Sequence, residues 1–131
     1  MSQSSNEATP ISMSLILVGV SDLDLGFILT MVLREEVSQE VLLVTDGKEM
    51  IEFCRLVTPQ LVLLDEQLLE MDAQALYKCL CQCDPERQIP VLLLGSPCHQ
   101  DGHDQHHLHW IKKPFHWDKL LQTVKALLEA L

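Results

Sequence analysis

The sequence predicts an α/β fold, a doubly wound parallel sheet of five strands with helices on both faces. Short runs of consecutive apolar residues recur along the chain, as expected for strands that are buried on both faces. Between these runs lie segments in which apolar residues recur every three or four positions, the spacing of amphipathic helices. Right-handed crossovers between alternating strands and helices place the helices on both faces of a parallel sheet.

The five predicted strands are short; the first four are wholly apolar and the fifth contains two lysines. They comprise residues 15–18, 41–44, 61–64, 91–94 and 110–113. Glycines, prolines and short polar residues follow these runs, and such residues favour turns. The pattern therefore predicts five strands joined by compact connections.

Amphipathic helices are predicted after the first, second, third and fifth strands. Asp22 and Asp46 suit the N-caps of the first two helices, and Glu49 completes a capping-box pattern with Asp46. The positions expected to face the sheet are Leu25, Ile28, Leu29, Val32 and Leu33 in the first helix, Met50, Phe53, Cys54 and Val57 in the second, Leu76, Leu80 and Cys83 in the third, and Leu120, Leu121, Val124, Leu127, Leu128 and Leu131 in the last. Residues 98–109 hold five of the six histidines and no apolar stripe, so we expect the fourth helix to be shortened or missing.

Length and charge narrow the class of protein. The 131 residues suit one domain, residues 15–131, preceded by a polar tail, residues 1–14, that we expect to be disordered. The N-terminus lacks a signal-peptide pattern and no apolar run is long enough to span a bilayer, so we expect a cytoplasmic protein without a membrane partner. The formal net charge of −10 disfavours nucleic acid as a partner and favours another protein. Five cysteines, an odd number, favour reduced thiols.

Asp65 follows the third predicted strand directly. In an open parallel sheet the crevice for ligands lies beyond the carboxyl ends of the strands. A carboxylate at that place is a candidate nucleophile or cation ligand. The alternative interpretation is that Asp65 only caps the turn that follows the strand.

Two segments, LVLLDEQLLEMD (residues 61–72) and IKKPF (residues 111–115), resemble the receiver domains of two-component response regulators. The resemblance extends over most of residues 15–131 and implies the flavodoxin-like sheet of that family. It implies that Asp65 accepts a phosphoryl group from a histidine kinase, that Lys113 contacts the phosphoryl oxygens, and that the Lys113–Pro114 bond is cis. Trp110 matches the aromatic residue that acts as a conformational switch in the family.

The sequence departs from the family pattern after the first strand, at the end of the fourth strand and in the fourth helix, which the short histidine-rich stretch replaces. Receivers carry two acidic residues after the first strand that help to hold Mg²⁺, and Val20 and Ser21 stand at those positions here. A Thr or Ser hydroxyl ends the fourth strand in the family, whereas this chain has Gly95, so that Ser96 supplies the hydroxyl only after a one-residue shift. With Asp65 as the remaining anion, binding of Mg²⁺ is doubtful.

These departures favour a stand-alone, atypical receiver that signals by protein–protein interaction, with Asp65 and Lys113 as an ion pair. The alternative is a working phosphoacceptor that a histidine kinase phosphorylates on Asp65. By resemblance, the last helix and the fifth strand form the face for a partner or for a homodimer. A metabolic enzyme is the least expected class, because the sequence has no Gly-rich phosphate loop and no nucleophile elbow.

The histidine-rich segment allows a further hypothesis. His103 and His107 would share one face of a helix and could bind a transition metal. A solvated polar loop is the favoured interpretation, since Gly102 and its polar neighbours suit an exposed loop. A pH response is the third option, because clustered imidazoles gain charge together as the pH falls.

Overall fold

The computed structural model describes residues 11–68, 89–95 and 108–130 of the chain. The strands in this part are β1 (Ile11–Ser12), β2 (Leu15–Gly19), β3 (Glu40–Val44), β4 (Val57–Thr58), β5 (Leu61–Asp65), β6 (Val91–Leu94) and β7 (Leu108–Ile111). The α-helices are α1 (Leu23–Val37), α2 (Gly47–Leu56) and α3 (Trp117–Glu129). None of these helices is long and apolar enough to cross a membrane. Most of the predicted third helix and residues 98–107 of the histidine-rich segment lie outside the described residues.

Five of the strands form one parallel sheet in the order β3-β2-β5-β6-β7. Numbered along the chain among these five alone, the order is 2-1-3-4-5, that of a doubly wound, flavodoxin-like sheet. The predicted fold class is therefore confirmed. In such a sheet the direction of winding reverses between the first and third strands, here β2 and β5, and ligands bind beyond their carboxyl ends.

Alternate residues of the strands pack into two separate core layers. In β5, Leu61 and Leu63 belong to a cluster that also holds Leu29 of α1 and Leu120 of α3. Val62 and Leu64 belong to the other cluster, together with residues of α2 such as Met50. Helices therefore cover both faces of the sheet, and period-two alternation assigns each strand residue to one layer.

Asp22 and Asp46 begin the first two helices as predicted. The Asp22 carboxylate accepts hydrogen bonds from the backbone N–H groups of Asp24 and Leu25, at 3.0 and 3.3 Å. The Asp46 carboxylate accepts one from the Lys48 N–H at 2.9 Å. Each cap satisfies donors that have no partner within the first turn of a helix.

A small second sheet joins β1 to β4. Ile11 pairs in parallel with Val57, and the Met13 N–H donates to the Thr58 carbonyl at 3.1 Å. Residues 11–13, which belong to the predicted tail, are thus hydrogen-bonded to the chain, while residues 1–10 lie outside the described part. The prediction that Val57 continues the second helix is wrong, because α2 ends at Leu56 and the β-branched pair before Pro59 is extended.

Two further predictions need correction. The fifth long strand, β7, spans Leu108–Ile111 and begins two residues before the predicted strand, residues 110–113. Ile28, expected to face the sheet, is 47% exposed, and the buried residues of α1 are Gly26, Leu29 and Leu33. The inward face of α1 is narrower than the apolar pattern indicates.

Candidate functional site

Asp65 is the last residue of β5 and lies at the carboxyl edge of the sheet, next to the point where the winding reverses. It pairs in register with Leu94 of β6. Only 3% of its surface is exposed, and it is the one buried polar or charged residue in the described part of the chain. A carboxylate this deeply buried requires hydrogen-bonding partners.

Both carboxylate oxygens of Asp65 have a partner. The Lys113 ammonium donates to Oδ2 at 2.6 Å, and the Gln67 backbone N–H donates to Oδ1 at 2.8 Å. The Lys113 side chain is 31% exposed, so water contacts part of it. The predicted ion pair between Asp65 and Lys113 is therefore present, and it joins residues 48 positions apart in the sequence.

The end of β7 positions Lys113. Ile111 pairs with Leu94 of β6, and its carbonyl accepts a hydrogen bond from the Gly95 N–H at 3.0 Å. The chain then leaves the sheet, and the Lys113–Pro114 peptide bond is cis, as the resemblance implies. Lys113, two residues after the end of β7, thereby lies in contact with Asp65 at the end of β5.

An apolar side chain lies where the family has an acid. Gly19 pairs with Leu64, so Val20 and Asp65 follow side by side at the ends of β2 and β5. Val20 is fully buried in the core layer beneath α1 and α3. The next two residues supply no substitute, because Ser21 is exposed and carries no charge and the Asp22 carboxylate caps α1.

The described residues at this edge differ from the usual ligands of Mg²⁺. Mg²⁺ in phosphoryl-transfer sites is held by one or two carboxylates together with phosphate oxygens and water. Here both carboxylate oxygens of Asp65 already have hydrogen-bonding partners. Within residues 11–68, 89–95 and 108–130, no three His, Cys, Asp or Glu side chains are grouped so that they could hold a metal ion.

Gly95 occupies the position of the family hydroxyl. It is buried and has a φ of 154°, a backbone conformation that residues with a side chain rarely adopt. A Thr or Ser at this position would therefore have to adopt a strained backbone conformation. Ser96, the alternative donor, lies outside the described residues.

Of the remaining candidate residues, the structure describes Trp110 and His109. Trp110 pairs with Leu93 and packs, half-buried, against the core layer beneath α2, on the other face of the sheet from Asp65. His109 lies in β7 and is half-buried. His103 and His107, the candidate transition-metal ligands, lie outside the described residues.

The sequence analysis missed one surface feature, an apolar outer face on α1. Leu23, Phe27, Ile28 and Met31 are all about half exposed. The signal is present in the sequence, because Leu23, Phe27 and Met31 recur every four residues, as a second stripe beside the buried one. A helix that is apolar on two faces is usually covered on both.

The order of the strands, the buried aspartate at the reversal point and the lysine before a cis-proline define the receiver type of doubly wound domain. No protein-family model matches the chain, and no curated protein sequence does. Solved structures do match it. The receiver domain of HemR from Leptospira biflexa, not phosphorylated, has 24% identity and a TM-score of 0.75, over 88% of this chain and 94% of that one.

Two other structures have the same fold. The chemotaxis response regulator CheY4 of Vibrio cholerae has 21% identity and a TM-score of 0.77, over 88% of this chain and 98% of its own. A streptococcal redox sensor, described as evolved from two-component response regulators, has 21% identity and a TM-score of 0.77 over 90% of this chain. This chain spans about half of that protein, 52% of its length. The chain therefore has the fold of response-regulator receiver domains.

Proposed function

We propose that this chain is a cytoplasmic signalling module of the receiver type, which works by binding other proteins and does not depend on Mg²⁺. Its partners are a histidine kinase or another protein of a phosphorelay. The observation that carries the proposal is the contact of 2.6 Å between Lys113 Nζ and Asp65 Oδ2 beside the buried Val20. The ion pair holds the end of β5 against the turn after β7 in a single arrangement.

The chemistry of phosphoryl transfer explains why this arrangement favours constitutive binding. The reaction depends on positioning and on neutralisation of charge at the phosphoryl oxygens, and a divalent cation supplies much of that neutralisation. Val20 and Ser21 remove two negative charges from the place where the cation would bind. Lys113 then neutralises Asp65 directly and leaves neither group available.

A working phosphoacceptor is the second candidate. It is favoured by the position of Asp65 at the carboxyl end of β5, in a sheet that has the receiver order, with an ammonium group in contact. In this reading an incoming phosphoryl group displaces Lys113 from Oδ2, Ser96 supplies the hydroxyl, and Trp110 reports the change. The two candidates differ in whether Asp65 reacts.

Labelling with a small phosphodonor distinguishes them. The whole chain is incubated with acetyl phosphate and Mg²⁺, and its intact mass is measured. We expect no more than a trace of a product with one added phosphoryl group, because no cation is held beside Asp65. A receiver with both family acids, treated in parallel, shows that the reagent is active.

The control variant is Asp65→Asn, which keeps the side-chain shape and cannot form an acyl phosphate. Abundant labelling of the natural chain that disappears in this variant would establish the phosphoacceptor and exclude the proposal. Labelling that persists in Asp65→Asn lies elsewhere in the chain and leaves the proposal intact.

The histidine-rich segment remains a separate proposal, a sensor of transition metals or pH built around His103 and His107. Titration of the chain with Zn²⁺ in a calorimeter tests the metal. The absence of heat would exclude it, whereas stoichiometric binding lost in His103→Ala would support it.

A further inference from the structure

The outer face of α1 carries an apolar patch beside the candidate site. Its four residues are Leu23, Phe27, Ile28 and Met31, with exposed fractions of 53%, 58%, 47% and 65%. Together they offer roughly 400 Å² of apolar surface, the size of the largest patch on a typical monomer, and such patches are often functional. We call these four residues the α1 patch.

The described parts of β7 and α3 have no comparable surface. The other large apolar residues that are well exposed are Ile11, Met13, Leu42 and Leu56, and none of them belongs to either element. The face expected from the resemblance, the last helix and fifth strand, therefore offers less apolar surface than α1. Docking that buries apolar area favours the α1 patch.

We propose that two copies of this chain pair through the α1 patch, with the two helices antiparallel about a two-fold axis at Phe27. Three of the four patch residues are symmetric about Phe27, since Leu23 precedes it by four positions and Met31 follows it by four, whereas the counterpart of Ile28 is the buried Gly26. In this arrangement Phe27 meets Phe27, and Leu23 of each copy meets Met31 of the second copy. A self-complementary patch of this kind suits an isologous dimer.

The charges around the patch are compatible with the same pairing. In an antiparallel pair centred on Phe27, each residue faces the one equally far from Phe27 on the other side. Asp24 therefore faces the uncharged Thr30 of the second copy. Among the charged residues of α1, Asp22 of the second copy lies nearest to Arg34 and Glu35, which have opposite charges, and the Arg34 guanidinium also donates to the Val41 carbonyl of its own chain at 3.1 Å. The overlap of the two patches thus places no acidic side chain opposite another.

The area is adequate for a reversible dimer. The patch supplies roughly half of the ~800 Å² that each partner contributes to a standard interface, and the polar side chains around it supply further contact. Residues 1–10 are less suited to pack on the α1 patch, because Met1 is their only large apolar residue. The proposal is independent of whether Asp65 reacts.

Sedimentation velocity over a range of concentrations tests the pairing. We expect the natural chain to dimerise, and Phe27→Glu to weaken the dimer at least tenfold. The matched control is Leu56→Glu, which places the same charge at a residue of α2 that is 69% exposed, and it should leave the dimer unchanged. Because each copy carries a formal net charge of −10, added salt should strengthen the dimer by screening the repulsion.

Cysteine cross-linking tests the geometry. Phe27→Cys should form a disulfide-linked dimer on mild oxidation, mapped by peptide mass spectrometry because the chain has five natural cysteines. A mixture of Leu23→Cys and Met31→Cys chains should cross-link between the two kinds of chain. A monomer at all concentrations, or a dimer that survives Phe27→Glu and cross-links through Lys125→Cys on α3, would overturn the proposal.

Discussion

At the scale of single residues, Asp65 and Lys113 show how a buried charge is stabilised at this site. The carboxylate is almost completely removed from water and has two hydrogen bonds, one of them to a charged donor. Pairs of this kind contribute little relative to apolar residues, but removing one partner leaves a buried charge uncompensated. The stability of the end of β5 therefore depends on Lys113.

Replacing Lys113 by Met should destabilise the chain. We expect a loss of about 2–3 kcal/mol in the free energy of unfolding, below the full value for a broken buried pair, because the Lys113 side chain is partly exposed. Lys112→Met, at the exposed neighbouring position, should change stability by no more than about 0.5 kcal/mol. Urea denaturation at constant pH measures both values.

A double-mutant cycle assigns this loss to the ion pair. Asp65→Asn removes the charge and keeps an oxygen for the Gln67 N–H. Combined with Lys113→Met it should cost less than the sum of the two single changes, by about 1–2 kcal/mol. Additive costs would mean that the two side chains do not interact in solution.

Much of this site can be predicted from single residues. A carboxylate directly after an apolar strand and a lysine before a proline are local signals, and both residues lie where the resemblance implies. The hydrogen bond from the Gln67 N–H is less predictable, because it depends on the path of the 3₁₀ turn at Glu66–Leu68. The unusual φ of Gly95 is likewise invisible in the sequence, since glycine adopts many conformations.

At the scale of elements, strands buried on both faces are the best predicted. The predicted fourth strand, residues 91–94, coincides with β6, because a continuous apolar run between Pro90 and Gly95 has few alternatives. The short pair of strands outside the main sheet is harder to predict. Val57 and Thr58 pair with residues 11–12, a contact across more than 40 positions that no local pattern reveals.

The first helix shows the limit of apolar periodicity. Both its inner and its outer stripes are apolar, so the sequence alone assigns Ile28 to the core. The structure resolves the ambiguity through Gly26, where an added Cβ would lie 2.9 Å from the Leu43 side chain. This close approach of α1 to β3 sets the rotation of the helix and leaves Ile28 on the outer face.

The conformation of Gly95 predicts that a Thr at this position, which restores the family hydroxyl, destabilises the chain and does not enable phosphorylation. Gly95→Thr places a β-branched side chain at a φ of 154°, which should cost about 1–3 kcal/mol of stability. It should produce no labelling by acetyl phosphate. Gly47→Ala is the control, because Gly47 is helical and this change should be neutral or slightly stabilising. A stable Gly95→Thr chain that becomes labelled would contradict this prediction.

At the scale of the whole molecule, the winding of the sheet assembles the site. The chain crosses to β3, returns past β2 to β5, and reaches β7 at the far edge, so that the carboxyl ends of all five strands lie on one side. This order follows from the alternation of strands and helices and from right-handed crossovers. The same order places Val20 beside Asp65 at the ends of β2 and β5, and we expect this neighbour to control whether a cation can bind.

Installing the two missing acids should therefore create Mg²⁺ binding. In the variant Val20→Asp with Ser21→Asp, the carboxylates lie beside Asp65 and repel it, so the chain without metal should be less stable than the natural one. Mg²⁺ relieves the repulsion. At a concentration of about 100 times Kd, binding adds about 2.7 kcal/mol to stability and should raise the melting temperature by roughly 10 °C.

Thermal denaturation with and without MgCl₂ measures this effect, and NaCl at equal ionic strength corrects for general screening. The control, Val20→Asn with Ser21→Asn, has the same shape without the charges and should not respond to Mg²⁺. The natural chain should not respond to Mg²⁺ either, because Lys113 already neutralises the Asp65 carboxylate. An equal rise in melting temperature for the natural chain would show that it binds Mg²⁺ with the residues it has, and the ion pair would then be a resting arrangement that the metal displaces.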